Sequence, residues 1–346
     1  MSFAVLSALI FFHELGHYAA ARLMGVYVEI FSLGFGKKIF AFRWFNTEWR
    51  IAAIPLGGYV KMKGQDDLDP ASISSDNDSY NSKTPLQRIF ILLAGPAANF
   101  ILAFFLYFAI GINGPQVLSP VVGKIVEDSP AAEAGLQEND TILSINNESI
   151  STWKAMSKLI KESGGSLNIQ IDRNGLVEYI TVVPRLTETK NMFNETIQRR
   201  MVGIGAAGVS HELDLGLFDS ITYAAEETWQ ASKLIFTSVE KLITGAVPAK
   251  ELGGVVSIVQ ITAQASAAGW MSVFFFAALI SVNLGVLNLL PIPALDGGHI
   301  MFNFYELITR HAPSEAVLIR LTIAGWALLI GLMSLGLYND FNRLLG

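Results

Sequence analysis

Four long apolar stretches constrain the fold of this chain more than any other feature of its sequence. They cover residues 2–23, 88–112, 270–290 and 317–337. Each is close to the roughly 20 residues that an α-helix needs to cross about 30 Å of hydrocarbon. Hydrophobic residues make up 51% of the chain and charged residues only 16%, which fits long buried or lipid-facing helices. The sequence therefore predicts a multi-spanning α-helical membrane protein with four spans.

Charge and composition exclude several classes of protein and of site. The net charge of −6 argues against a nucleic-acid partner, because proteins that bind nucleic acids are usually basic. The chain has no cysteine, which excludes disulfides, cysteine-ligated zinc and a thiol nucleophile. Any metal site must therefore use the five histidines together with aspartate and glutamate.

Basic residues predict the orientation of the spans, because short loops rich in Lys and Arg stay in the cytoplasm. Loop 25–87 is rich in Lys and Arg, whereas no basic residue precedes Arg22. This places loop 25–87 in the cytoplasm and region 114–269 outside it. Residues 26–64 alternate aromatic and β-branched residues with polar ones, which predicts a small cytosolic β element. The polar stretch 65–85 is predicted to be a mobile linker.

The region between the second and third spans divides into two parts. Residues 115–186 alternate short strands with one helix at 152–162 and a hairpin turn at Asn174–Gly175, which predicts an inserted α+β domain. In region 187–269, segment 217–245 is predicted to be an amphipathic helix on the membrane surface. Segment 255–269 is apolar but too short to cross, and is predicted to be interfacial or re-entrant. The predicted boundaries are thus 1–112, 115–186, 187–269 and 270–346.

The first span contains an H-E-x-x-H motif at residues 13–17. Residues four apart share one face of a helix, so His13 and His17 can reach the same metal ion. The type of ligand favours zinc, and Glu14 is placed to deprotonate the water that zinc activates. Three ionisable residues in a span each cost about 2.5–3.5 kcal/mol on insertion scales, which indicates a function.

A third metal ligand is predicted at the end of the third span, in the sequence NLLPIPALDGGH. Pro291 and Pro293 break the helix, and unwound backbone at membrane depth is tolerated only where it lines protein or a water-filled cavity. Asp296 follows this break, so it is predicted to be the third ligand rather than a helix cap. His299 is predicted to pack or contact solvent, and His211 and His311 to be surface residues.

HELGH in the first span, followed by NLLPIPALDGG in a later one, closely resembles the site-2 protease family of intramembrane metalloproteases. The resemblance covers essentially the whole chain and is best to the bacterial RseP/RasP type. It implies that His13, His17 and Asp296 bind one catalytic Zn²⁺ and that Glu14 is the general base. It also implies that Asn283 and Asn288 bind substrate or stabilise the oxyanion, the alternative for both being a hydrogen bond between helices.

The resemblance has further implications for how substrate binds. The strands around Gly34 and Gly36 are expected to hold substrate as an added strand, the alternative being a purely structural hairpin. Residues 115–186 resemble a PDZ domain, whose groove would lie between helix 152–162 and a binding loop and edge strand. These groove residues would be Val122, Gly123, Lys124 and Ile125.

The function implied by the resemblance is hydrolysis of peptide bonds within or near the transmembrane segments of single-span membrane proteins. Such substrates, for example anti-sigma factors or remnant signal peptides, would first be cut by another protease. The protein would lie in the lipid bilayer of the bacterial cytoplasmic (inner) membrane, with its PDZ-like domain extracytoplasmic. Two other classes are weighed against this one. A metal transporter would repeat its ligands in symmetric halves, and an inactive scaffold would not need Glu14 or Asp296.

Overall fold

The computed structural model describes residues 2–65, 74 and 76–345. It divides into two compact units, one of Met1–Gly111 with Phe218–Gly346 and one of Ile112–Leu217. The first is called the membrane unit here and the second the inserted unit.

The described helices, in chain order, are α1 (Ser2–Leu23), α2 (Pro85–Ile112), α3 (Pro130–Glu133), α4 (Trp153–Glu162), α5 (Leu217–Ile243), α6 (Val255–Ala267), α7 (Trp270–Asn288), α8 (Asp296–Thr309) and α9 (Glu315–Leu345). Among the described residues, four helices are long and apolar enough to cross a membrane. These are α1, α2, α7 and α9, so the four predicted spans are confirmed as helices.

Strands β1 (Val28–Trp44) and β2 (Thr47–Met62) form one antiparallel hairpin in the membrane unit. Its turn places Phe45 and Asn46 at positive φ. The register shifts repeatedly between Ile30 and Phe40, so the hairpin is bent by bulges. The Phe31 ring stacks on Trp49 and meets Phe11 of α1 edge to face, which fixes the hairpin against the first span. The predicted β element is therefore a long hairpin that packs along α1.

Part of segment 65–85, which was predicted to be a mobile linker, makes specific contacts with the rest of the membrane unit. Residues 66–73 and 75 of this segment lie outside the described residues. The Tyr80 side chain is buried. The backbone N–H of Tyr27 donates to the Asp78 carbonyl at 2.8 Å, and Lys63 Nζ lies 2.7 Å from Asp78 Oδ1. Residues 76–84 are thus an ordered segment held against the start of β1, because polar side chains here find partners within the fold.

Helix α5 also differs from expectation. Its small residues Ser220, Ala224 and Ala231 are buried, and the latter two join a core formed with α2 and α7. Ser220 lies so close to Gly111 that a Cβ atom on that glycine would be 3.0 Å from the Ser220 Cβ. α5 therefore packs on the spanning helices through its small residues, a contact that the predicted amphipathic helix on the membrane surface did not include.

Helix α6 is anchored at its N-terminus by α9. The Asp340 carboxylate accepts from the backbone N–H groups of Gly254, Val256 and Ser257 at 2.9–3.1 Å. Asn339 Nδ2 donates to the carbonyls of Ala249 and Leu252. The Asp340 bonds satisfy N–H groups that a helix N-terminus leaves free, and the Asn339 bonds join the preceding residues 249–252 to α9.

The inserted unit contains ten short strands. They are β3 (Gln116–Leu118), β4 (Val122–Ile125), β5 (Thr141–Ile145), β6 (Glu148–Ser149), β7 (Leu167–Arg173), β8 (Leu176–Val182), β9 (Arg185–Lys190), β10 (Thr196–Met201), β11 (Ile204–Ala206) and β12 (Ser210–Glu212). The largest sheet has the order β6-β5-β7-β8. Asn174 and Gly175 both have positive φ in the β7–β8 turn, as a type I′ hairpin requires.

The core of the inserted unit lies between this sheet and α4, and is built from Ile142, Ile145, Met156, Ile169 and Ile171. Strands β11 and β12 return to pair with β4 and β3. The compact unit therefore runs to Leu217, whereas the sequence placed the end of this domain at residue 186. Pairing between strands so far apart in sequence leaves no local signal, which is why the boundary was wrong.

Candidate metal centre

Two histidines of α1 converge because they lie one helical turn apart on the same face. His13 Nε2 and His17 Nε2 are 3.2 Å apart. The His17 side chain is buried, and that of His13 is 12% exposed. The helix that carries them is apolar and uncharged on its N-terminal side, so the two imidazoles sit within a candidate span.

Asp296 reaches the same point from the opposite side. It is the first residue of α8, directly after the non-helical segment 289–295. Its Oδ2 atom lies 3.4 Å from His13 Nε2 and 3.3 Å from His17 Nε2. The glycines that follow make this approach possible, because a Cβ atom on Gly297 would lie 2.2 Å from the Leu290 carbonyl oxygen.

The three side chains fit a tetrahedral zinc ion. Ligand atoms bound at about 2.0–2.1 Å with tetrahedral angles lie about 3.3 Å from one another. The three separations here are 3.2, 3.3 and 3.4 Å. Asp296 Oδ2 is also buried without a hydrogen-bond donor among the described residues, which is the state expected of an atom that coordinates a metal. The donor set of two imidazoles and one carboxylate leaves a fourth position open.

Comparison with known proteins agrees with this geometry. The family model described as Peptidase family M50 matches residues 1–332. The chain belongs to this family, the site-2 proteases.

Among the relatives of this M50 protein is a Campylobacter jejuni protein named "Putative zinc metalloprotease Cj1068". The two are 46% identical over 342 residues, which is 99% of this chain and 92% of the relative. A Helicobacter pylori protein with the same description is 38% identical over 99% of this chain and 98% of its own length. Metalloprotease MmpA of Caulobacter vibrioides is 33% identical over 98% of this chain and 94% of its own length. The cofactor of the family is zinc, so the predicted cofactor is confirmed.

Close contact with α2 holds the two histidines of the M50 site in place. A Cβ atom on Gly95 would lie 2.2 Å from His17 Nε2, and one on Gly16 would lie 2.2 Å from the Ala94 carbonyl oxygen. His17 Nδ1 lies 2.9 Å from the Ile91 carbonyl oxygen. Because a carbonyl only accepts, His17 carries its proton on Nδ1 and leaves Nε2 free for a metal.

Glu14 lies on α1 between the two histidines and is half-buried. Its Cγ atom would be 3.1 Å from a Cβ atom on Gly58, so β2 passes directly beside it. The hairpin thus reaches the level of the H-E-x-x-H motif along α1. That closeness was not predicted, because it depends on how the hairpin packs rather than on local sequence.

The other predicted site residues of the membrane unit are not part of the histidine–aspartate cluster. Asn283 and Asn288 lie half-buried on α7 and make no hydrogen bond to that cluster within the described residues. Gly34 and Gly36 lie in β1 at φ +93° and +85°, where the hairpin register breaks. Neither glycine could be replaced without strain, which agrees with a bulged strand.

The four residues predicted to line a PDZ-like groove form a strand that is already paired along one edge. Val122, Gly123, Lys124 and Ile125 form β4, which pairs with β11 through Ile204–Ile125 and Ala206–Val122. A Cβ atom on Gly123 would lie 2.6 Å from the Ala206 carbonyl oxygen. This edge of β4 is therefore occupied by the chain itself, so an added peptide strand cannot bind along it.

The remaining histidines stay outside the cluster. The His299 ring packs edge to face on Phe302, and His311 is exposed beside Thr309, both as expected. His211 Nδ1 lies 2.7 Å from the hydroxyl of buried Ser119, so it is a packed residue of β12 rather than a surface one.

Sequence reasoning missed three residues of α2 that contact the metal-site histidines, the first being Ile91 through its carbonyl oxygen. Gly95 leaves the space that His17 fills, and Asn99 Nδ2 lies 3.1 Å from His13 Nδ1. The available signal was a single amide in an otherwise apolar span, which has no recognisable motif of its own.

Proposed function

We propose that this M50 protein is an intramembrane zinc endopeptidase that hydrolyses peptide bonds within or near the transmembrane segments of single-span membrane proteins. The observation that carries the proposal is that Asp296 converges on His13 and His17, which lie inside a candidate span together with Glu14. A metal site at this depth serves a substrate that is itself in the bilayer.

In the proposed mechanism His13, His17 and Asp296 hold the zinc, which supplies Lewis acidity and an activated water when bound. Glu14 would act as the general base, accepting a proton from the attacking water and passing it to the nitrogen of the leaving amine. The side-chain amides of Asn283 and Asn288 donate to the carbonyl oxygen of the scissile bond or hold the substrate beside it.

The substrate must be unwound before its scissile bond can react, because the peptide groups of a helix are paired internally. The β1–β2 hairpin, which lies beside Glu14 at Gly58, offers strand edges that can bind an extended segment through main-chain hydrogen bonds. The bulged stretch at Gly34 and Gly36 is the proposed place of contact. An exposed substrate terminus left by an earlier protease makes such unwinding easier.

The proposed location is the cytoplasmic membrane of a bacterium, with the inserted unit outside the cytoplasm as a PDZ-like module. Anti-sigma factors and remnant signal peptides are the proposed classes of substrate. A metal transporter is disfavoured, because the described residues contain one such cluster of metal-ligating side chains rather than a symmetric pair.

The test is cleavage of a single-span model substrate by the full-length protein in liposomes. Wild type is compared with Glu14→Gln, with the matched control Glu226→Gln on an exposed face of α5, and with wild type plus a zinc chelator. We expect wild type and the control to cut within the apolar segment, and the other two to be inactive. Glu14→Gln should keep its zinc, because Glu14 is not a ligand.

Two outcomes would contradict the proposal. If Glu14→Gln cuts as fast as wild type, Glu14 is not the general base. If wild type is folded but binds no zinc and cuts nothing, the chain acts as a binding scaffold.

A further inference from the structure

An asparagine in the middle of α2 is buried where an apolar residue would be more stable. The Asn99 side chain is 0% exposed within a candidate span, and its Oδ1 atom has no hydrogen-bond partner among the described residues. A buried polar atom without a partner costs about 1–3 kcal/mol. Among the described residues, the hydrogen-bond partner of this amide is His13 Nδ1, which lies 3.1 Å from Asn99 Nδ2.

The backbone of Asn99 does not explain why the side chain is an amide. Its carbonyl oxygen accepts from the Ser281 hydroxyl of α7 at 2.8 Å, which joins the two helices. Any residue at position 99 would provide that carbonyl. Among the described residues, the amide side chain therefore has His13 as its hydrogen-bond partner.

The protonation of His13 decides which end of the amide must face it. A histidine that binds zinc through Nε2 carries its proton on Nδ1, and that proton needs an acceptor. The two ends of an amide have the same shape and exchange by a half-turn about the last side-chain bond. For the amide to accept that proton, its Oδ1 atom must face His13 in place of Nδ2, which lies 3.1 Å from His13 Nδ1 in this structure.

Three residues of α2 at four-residue spacing contact the two histidines. The Ile91 carbonyl receives the Nδ1 proton of His17, Gly95 leaves room for the His17 ring, and Asn99 meets His13. Residues four apart share one face of a helix, so one stripe of α2 orients both imidazoles. The backbone can serve His17, but it does not reach His13 Nδ1, which is why a side chain is needed there.

We propose that Asn99 is a positioning residue whose side-chain carbonyl accepts the Nδ1 proton of His13 and so directs His13 Nε2 toward the metal. This inference rests on the proposed ligand set of His13, His17 and Asp296. The alternative is that Asn99 only holds α1 and α2 together, as buried amides between membrane helices commonly do.

The experiment measures zinc affinity, by competition with a chelator, and the visible absorption spectrum of the cobalt-substituted full-length protein in detergent. We expect Asn99→Leu to bind zinc about 10–100-fold more weakly and to show an altered cobalt spectrum. Asn99→Asp keeps an acceptor, so it should bind zinc at least as tightly as wild type, with a shifted cobalt spectrum. The matched control Ser281→Ala, which loses the neighbouring contact between helices, should leave both readings unchanged.

Several results would overturn the proposal. One is Asn99→Leu with zinc affinity within twofold of wild type and the same cobalt spectrum. Another is Ser281→Ala losing as much affinity as Asn99→Leu, since both would then act on helix packing. If Asn99→Leu does not fold, Asn99→Asp becomes the deciding variant. The proposal is then rejected if Asn99→Asp binds zinc more weakly than wild type. It is also rejected if both the zinc affinity and the cobalt spectrum of Asn99→Asp equal those of wild type. A His13→Ala protein that keeps full zinc affinity would instead reject the ligand set.

Discussion

The inserted unit and the membrane unit are held together by different kinds of contact. In the inserted unit, branched aliphatic residues of β5 and β7 fill a core against α4, as in water-soluble domains. In the membrane unit, helices approach one another closely at glycines, such as Gly16 beside Ala94, Gly95 beside His17 and Gly285 beside Phe100. Large apolar side chains of this unit, by contrast, are often exposed.

The difference follows from the solvent around each unit. Burying an aliphatic side chain removes it from water, which drives folding in the inserted unit. In a bilayer the surroundings are as apolar as the side chain, so helices associate through close packing of small residues instead. Substitutions that add volume should therefore damage the membrane unit most, and those that remove volume should damage the inserted unit most.

The largest effect is expected for Gly95→Ala in the membrane unit. The new Cβ atom would lie 2.2 Å from His17 Nε2, so the ring must move away from the metal. We expect zinc content to fall and cleavage to drop by about 100-fold or more. Elemental analysis and the liposome assay measure the two effects. Gly331→Ala in α9 is the matched control, since a Cβ atom there meets nothing within 4 Å. A Gly95→Ala protein with normal zinc content would contradict the view that added volume damages the membrane unit most.

The converse substitution, Ile171→Ala, removes volume from the core of the inserted unit. Ile171 is fully buried in β7, so the change should cost about 2–5 kcal/mol of unfolding free energy. Hydrogen exchange of the β7 amides in the full-length protein, followed in urea, measures this loss. Zinc content should not change. Val177→Ala, at an exposed position of the adjacent strand, is the control and should be nearly neutral. Equal costs at both positions would contradict the core assignment.

A buried ion pair should make the stability of the inserted unit depend on pH. Burial opposes ionisation of Asp140, but hydrogen bonds from Arg173 and from the Gln137 N–H outweigh it and lower the pKa of this carboxyl. A carboxyl with a lowered pKa stabilises the fold above its ordinary pKa of about 3.9, and this stability is lost as pH falls through the lowered value.

We expect Asp140→Asn to destabilise the inserted unit by about 3 kcal/mol at pH 7, because Arg173 loses its buried partner charge and keeps only the more exposed Glu178. The difference from wild type should shrink at pH values below the ordinary carboxyl range. Urea unfolding followed at a series of pH values measures it. A difference that is the same at pH 7 and at the acidic end would show that the charge of Asp140 is not the cause.

The smallest effect is expected for Asp340→Ala, which removes the N-terminal cap of α6. The backbone N–H groups of Gly254, Val256 and Ser257 would lose their acceptor, at a cost of about 0.5–2 kcal/mol. Faster hydrogen exchange at residues 256 and 257, with unchanged zinc content, is the expected reading. Asp340→Asn keeps one acceptor oxygen, so its exchange rates should lie between those of wild type and Asp340→Ala. Unchanged exchange in Asp340→Ala would mean that other contacts hold α6.

How far the sequence predicts this protein depends on how local each signal is. An apolar run of about 20 residues defines a spanning helix by itself, and the H-E-x-x-H spacing places two imidazoles on one helix face without any tertiary information. Asp296 was also predictable, since Pro291, Pro293 and the two glycines mark a break at membrane depth. These signals identified the three side chains that the structure brings together.

Features that depend on distant pairing were not predictable. The partner of β4 is β11, which lies some 80 residues later, so the edge around Gly123 looked free in the sequence. Charged residues in α5 concealed the small residues Ser220, Ala224 and Ala231 that pack on the spanning helices. Asn99 was missed because its partner, His13, lies on another helix, and that contact leaves no pattern in the sequence of α2.

Helix α9 is much less covered by the protein than the other spans of the membrane unit. In its most apolar part, only 6% of the residues are buried within the protein, compared with 44% for α7. Its 31 residues rise about 46 Å, of which the apolar run 317–337 accounts for about 31 Å, close to the roughly 30 Å of hydrocarbon in a typical bilayer. Little of the protein covers this helix, so lipid is expected to be its main packing partner in a bilayer. A detergent micelle replaces that partner, so α9 is the part of the protein whose behaviour should differ most between purified and membrane-embedded samples.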